Sequence, residues 1–339
     1  MQNGGRIALI LCSTLVILFL FLFVWYSESP SFAYSPESPE WNERLLYWKQ
    51  YIEKNGPKDA YDHFLKLNVA QNIQVQHEYA HTFGQALYES MEIEGIHVCD
   101  YFSFSSGCYH ELFRLALAEE GLNLSNRIVE TCISGERSKS RVRDCYHAVG
   151  HGVGYYFGSS KLDEALEYCR SYGSDYAPAC SDGVFMEHIS PGFMVDITRH
   201  PNTPPEEVSS ICYEHGNEFS YVCYRRFIQW WGSRLQAQME PAEYIPLLDY
   251  FCSNLPAEKE RRSCAMSIGV FVLPTWVSVN ATDMIRYCSL IEDAELESEC
   301  MSGTIRRIAE YPEHEDQVTL LCEHTNETNV AECNILSSE

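Results

Sequence analysis

Residues 247–271 read LLDYFCSNLPAEKERRSCAMSIGVF. An apolar run with helical spacing ends at Cys252, a polar stretch from Ser253 to Ser263 follows, and a second apolar run starts at Cys264. This is the pattern of a helical hairpin with one cysteine on each side of its loop. It recurs along the chain at Cys99/Cys108, Cys132/Cys145, Cys169/Cys180, Cys212/Cys223, Cys252/Cys264, Cys288/Cys300 and Cys322/Cys333. The gap within a pair is 9 to 13 residues, and the step from one pair to the next is 33 to 43. A period of that size marks a stacked array of supersecondary units. Gaps of 9 to 13 do not suit zinc knuckles, whose ligands lie two to four residues apart. One disulfide per hairpin is therefore expected, which places the array where thiols oxidise. The second helix of each unit is expected to begin at its second cysteine, and Gly150, Gly154, Gly183, Gly269 and Gly303 fall where neighbouring helices must come close.

The expected fold class is all-α: a right-handed-type solenoid of about seven or eight hairpins, each stapled by one disulfide. In period and topology it resembles the Sel1-like and tetratricopeptide helical-hairpin repeats. The consensus residues of those repeats do not align, so the resemblance implies architecture only.

Upstream of the array, residues 7–26 run for twenty positions without a charge, enough to cross a bilayer as a helix. Arg6 precedes this run, while Glu28, Glu37 and Glu40 follow it. That asymmetry places the N-terminus inside and the rest outside. The expected organisation is a signal-anchor helix over 1–26, a Ser/Pro-rich linker over 27–39, and an extracytoplasmic repeat domain over 40–339. The repeat domain divides into His-bearing units (59–190) and His-poor units (191–339). The expected location is the cell membrane, single-pass. Net charge is −24, with 24 basic residues against 48 acidic ones. This excludes nucleic acid as a partner, because phosphate attracts basic surfaces. A protein or peptide partner on the concave face of the array is the remaining expectation.

Aligning the second helices on their leading cysteine exposes a second pattern. Two positions on stand His110, His147, Asp182, Arg225, Met266 and Ser302; six positions on stand Arg114, His151, Met186, Gln229, Val270 and Arg306. The helix before Cys99 fits the same frame with Val75 in the cysteine place, which puts His77 and His81 at those positions. Residues four apart share a helix face, and equivalent positions of stacked units lie side by side. His77, His81, His147 and His151 are thus candidate metal ligands, with His110 between the pairs as a ligand or a group that orients one. Glu187 and His188 are candidates to complete the shell, and Glu78 and Glu111 are candidate catalytic bases. Imidazole with carboxylate suits zinc ahead of iron or copper. The expected function is a metalloenzyme, hydrolytic or oxidative, or a metal-binding module. A metal-free interaction scaffold is the alternative, in which the histidines form a hydrogen-bonded network.

The first pair also reads His77-Glu78-Tyr79-Ala80-His81, followed by Gly84. This resembles the HExxHxxG start of the metzincin zinc proteases and implies two ligands with Glu78 as base. It departs from that family at Leu87, where the third histidine would stand. His147-Ala-Val-Gly-His151-Gly-Val-Gly154 repeats the frame without the glutamate. What recurs is the histidine pair and the glycine, which makes a zinc protease the third reading.

Overall fold

The computed structural model describes residues 40–68, 73–99, 107–133, 139–189, 204–273, 280–309, 314–324 and 333. The expected anchor helix and linker lie outside the described residues. Among the described residues no helix is long and apolar enough to cross a membrane.

The described chain is all-helical, without strands. In order it forms α1 (Trp41–Asn55), α2 (Pro57–Asn68), α3 (Ile73–Met91), α4 (Gly107–Glu120), α5 (Leu124–Ile133), α6 (Lys139–Phe157), α7 (Leu162–Arg170) and α8 (Gly173–Ile189). There follow α9 (Pro205–His215), α10 (Ser220–Gln236), α11 (Pro241–Ser253), α12 (Glu258–Ser267), α13 (Ala281–Cys288), α14 (Ala294–Ala309) and α15 (Glu315–Glu323). A π-helical turn, Ile268–Val272, continues α12.

The long second helices pack in series, α3 on α4, then α6, α8, α10, α12 and α14, each against the next. The shorter first helices α5, α7, α9, α11 and α13 pack on the helix that follows them. The apolar faces meet in one continuous core, in which Phe83, Leu112, Phe113, Val149, Phe185, Phe227 and Ile305 are fully covered.

Disulfides join Cys99–Cys108, Cys169–Cys180, Cys212–Cys223, Cys252–Cys264, Cys288–Cys300 and Cys322–Cys333, with Cα–Cα separations of 5.3 to 6.1 Å. Cys145 is also disulfide-bonded; the side chain of Cys132 lies outside the described residues. Each bridge closes a short loop, an effect worth ~2–4 kcal/mol that acts mainly by restricting the unfolded chain.

The second helices begin before their cysteines, contrary to the expected start. α12 opens at Glu258, six residues ahead of Cys264, and α14 opens at Ala294, ahead of Cys300. Glu258-Lys-Glu-Arg-Arg262 is polar, but its residues are strong helix formers, and Glu260 accepts a hydrogen bond from the Ala257 N–H at 3.3 Å. The bridge thus clamps the first helix to the early turns of the second. Pro205 starts α9, where a proline's fixed φ and missing N–H suit the first helical position.

The glycines are where backbones touch. A Cβ on Gly150 would strike the Cys180 carbonyl, and one on Gly183 the His147 carbonyl. The same reciprocal contact recurs between α12 and α14, where Gly269 faces the Cys300 carbonyl and Gly303 the Met266 carbonyl. Helix pairs α6/α8 and α12/α14 therefore cross in one register, and Gly84 against the Cys108 carbonyl with Gly107 against the His77 carbonyl makes the same reciprocal contact between the histidine-bearing helices α3 and α4. Gly269→Ala is expected to cost about 2 kcal/mol, within the usual range for overpacking, because the obstructing atoms are backbone. Chemical denaturation measures this, and a loss under about 0.5 kcal/mol would contradict the close crossing.

Candidate metal centre

The histidine frame is realised in three dimensions. α3 carries His77 and His81, α4 carries His110, and α6 carries His147 and His151. The series packing of these three helices brings the five rings together. The Nε2 atoms of His77 and His81 are 3.1 Å apart, and those of His147 and His151 are 3.2 Å apart. His110 lies between the pairs. Its ring centroid is 5.3 and 5.6 Å from His77 and His81, and 5.0 and 4.5 Å from His147 and His151. Two groups, His77/His81/His110 and His110/His147/His151, each bring their ligand atoms within 4.8 Å of one another.

Behind the rings stand carboxylates. His81 Nδ1 lies 3.4 Å from Glu111 Oε2, and His151 Nδ1 lies 2.7 Å from Glu187 Oε1. His147 Nδ1 lies 3.0 Å from Asp182 Oδ2. That last approach is off the ring's N–H axis, because Nδ1 has no aligned hydrogen-bond partner; it is an electrostatic contact rather than a directed bond. The carboxylates are held in turn by arginines. Arg114 binds Glu111 through two nitrogens. Arg226 on α10 makes a two-pronged pair with Asp182, in which Nε donates to Oδ1 at 2.8 Å.

Burial governs the protonation of the centre. It pushes His110 and His151 well below the usual imidazole value, helped by the neighbouring histidines. It also lowers His147, against the opposing pull of Asp182. Burial alone would raise Glu111, but the hydrogen bonds from His81 and Arg114 outweigh it and hold the carboxyl below its ordinary value. Asp182 is likewise held well below its ordinary value, because Arg226 and Arg225 overcome its burial. Glu187 has no such bonded cation. Burial carries it up to about 8, with Arg114 opposing and Glu111 reinforcing the rise. Burial thus favours the neutral form of His110, His147 and His151, the form a metal binds.

The donor set fits a transition metal. Two nitrogens each about 2.0–2.1 Å from one tetrahedral zinc stand about 3.3 Å apart, close to both Nε2 spacings. An imidazole whose second nitrogen faces a carboxylate is the usual arrangement around a bound metal, since it fixes the tautomer and strengthens the ligand.

Two of the sequence candidates sit elsewhere. Glu78 faces Arg44 on α1, with Oε1 3.0 Å from the guanidinium, and is outside both histidine groups. Arg44 is itself only 1% exposed and lies over the Tyr79 ring. His188 lines a small surface cleft with Glu187, Gly154, Gly158 and Leu162, and burial lowers its pKa. Sequence reasoning passed over Asp182, although it occupies the same frame position as His110 and His147 in the next unit. Arg226 points inward to Asp182, because α8 packs directly on α10.

The chain matches no protein-family model, and no curated protein or solved structure is similar to it.

Proposed function

We propose that this protein is a membrane-anchored, extracytoplasmic helical-repeat solenoid that binds transition metal, zinc ahead of iron or copper, in a histidine-lined centre of its N-terminal units. One observation carries this reading: the paired Nε2 atoms converge while carboxylates stand behind the other ring nitrogen of His81 and of His151. Three nitrogens per group leave a coordination position open, the pattern of catalytic rather than structural zinc. Bound zinc supplies Lewis acidity and lowers the pKa of a coordinated water. Burial favours the neutral form of His110, His147 and His151, and Glu187, raised to about 8, is placed to exchange a proton close to neutrality. Hydrolysis or oxidation is the reaction class this supports. The position of Glu78 against Arg44 favours that reading over proteolysis by a metzincin-like base. The anchor and the extracytoplasmic location rest on residues 7–26 and on the disulfides.

A second reading has its own support. Glu187, His151 and His147 form a polar chain with links of 2.7 and 3.2 Å, and Asp182 stands 3.0 Å from His147 Nδ1 as an electrostatic neighbour. Such a chain can satisfy the rings without metal, which leaves the array as a binding scaffold. Elemental analysis separates the two. The full chain, purified in detergent with its disulfides formed, is expected to hold stoichiometric metal that a His77→Ala/His147→Ala variant loses. Wild-type protein that stays metal-free after reconstitution with zinc, copper and iron would leave only the scaffold.

A further inference from the structure

The frame supplies two histidine pairs but a single histidine, His110, from the helix between them. The six-on position of that helix is Arg114, which binds Glu111 instead of offering a ligand. Each pair needs His110 to become a three-nitrogen group, and both groups include it. If the ring served one metal only, the other pair would be left with two nitrogens.

The surroundings of the ring point the same way. A histidine bound to one metal almost always gives its other N–H to a carboxylate, a carbonyl or water. His81 and His151 each have a carboxylate bonded at Nδ1, and Asp182 stands 3.0 Å from His147 Nδ1 as an electrostatic neighbour. His110 is 4% exposed, and its Nδ1 has no hydrogen-bond partner. A buried polar atom left in this way destabilises the fold, so the sequence keeps it for something the protein's own groups do not provide. The two pairs are also alike: equal residue spacing, Nε2 separations of 3.1 and 3.2 Å, and a carboxylate behind each.

Building on the metal reading above, we infer that the centre is dinuclear and that His110 bridges two divalent first-row ions, one held by His77 and His81 and the other by His147 and His151. Imidazole nitrogen suits zinc and copper in such a site. A ring can ligate through both nitrogens only as imidazolate. As the second ion binds, the remaining N–H bond breaks, its electron pair forms the new metal–nitrogen bond, and the proton passes to the buffer. No oxidation state changes. Glu111, Glu187 and Asp182, with Arg114 and Arg226 behind Glu111 and Asp182, position three of the four outer rings, those of His81, His151 and His147, so that the central one is shared.

Copper(II) is the probe, because a bridging imidazolate couples two unpaired electrons and a pair of separate sites does not. The full chain in detergent is titrated with copper(II), and bound copper and electron paramagnetic resonance are followed together. The expected result is two ions per chain. The signal grows to half loading and then falls as the second ion enters. His110→Gln, checked for fold by circular dichroism, should abolish the fall. Two ions whose spins integrate in full in the wild-type protein would overturn the bridge, and that measurement needs no variant to fold. A single ion lost in His77→Ala/His147→Ala would also overturn it while leaving the metal reading standing. No stoichiometric copper or zinc at all would remove both.

Discussion

Asp182→Ala is expected to destabilise the protein by ~3–5 kcal/mol, the cost of stranding a buried charge by removing its partner. The carboxylate is the anion that faces Arg226, which is buried, and it also pulls on Arg225, whose Nε has no hydrogen-bond partner. The ring of Phe271 lies 4.7 Å from the Arg226 guanidinium and 5.9 Å from that of Arg225, and an aromatic face compensates only in part for a missing carboxylate. Removing Asp182 leaves two guanidinium groups inside the α8/α10 joint. Arg226→Met should cost less than Asp182→Ala, because the surviving carboxylate keeps His147 and Arg225 nearby. The double variant should be more stable than the sum of the single losses implies, with a coupling of about 2 kcal/mol. Recovery stays partial, since Arg225 keeps its charge. The joint also lies between the histidine-bearing units and the rest of the array. In a repeat protein cooperativity depends on such neighbour interfaces, so denaturation of Asp182→Ala should split into two transitions. A loss below about 1 kcal/mol, with one transition retained, would show that Asp182 is neither the partner of these arginines nor the joint's fastener.

The fold was legible because its signal is repeated. One hairpin with two cysteines is ambiguous, but seven at a near-constant step are not, and the described bridges fall where the spacing put them. The histidine frame was legible for the same reason: aligning helices on Cys108 and Cys145 converts a scatter of histidines into two positions on stacked faces. Helix starts were less legible. Glu258 to Arg262 looks like a loop to a reading of polarity, whereas its residues favour helix and the bridge lies inside the helix. Long-range charge pairing left no mark in the spacing. Nothing local tells Glu78 that its partner is Arg44, or Arg226 that its partner is Asp182, because these pairs span 34 and 44 residues. The HExxH motif does not announce the Glu78–Arg44 pair for that reason: the motif specifies a helix face, and the neighbouring helix decides which residues on the other faces are engaged.

Withdrawing metal is the perturbation with the widest expected reach. A ligand present at 100 times its dissociation constant stabilises the folded state by ~2.7 kcal/mol, so two filled sites contribute about 5 kcal/mol. The chain carries a net charge of −24, and a surface that acidic adsorbs cations without specificity. A rise in melting temperature on adding zinc is therefore weak support when it stands alone. Location is the stronger criterion. With metal bound, the five histidines of α3, α4 and α6 would link helices that otherwise meet through packing, and carboxylates on α4 and α8 would extend the linkage. Ordering a ring on one helix restricts its neighbours, but an array transmits such effects mainly to adjacent units. Zinc should thus slow amide exchange in α3, α4, α6 and α8, and leave α12 and α14 unchanged. A chelator should reverse the protection, and magnesium, a hard cation that prefers oxygen ligands, should not reproduce it. Protection spread evenly over all the helices, or matched by magnesium, would assign the effect to the acidic surface and remove the histidine centre from the account.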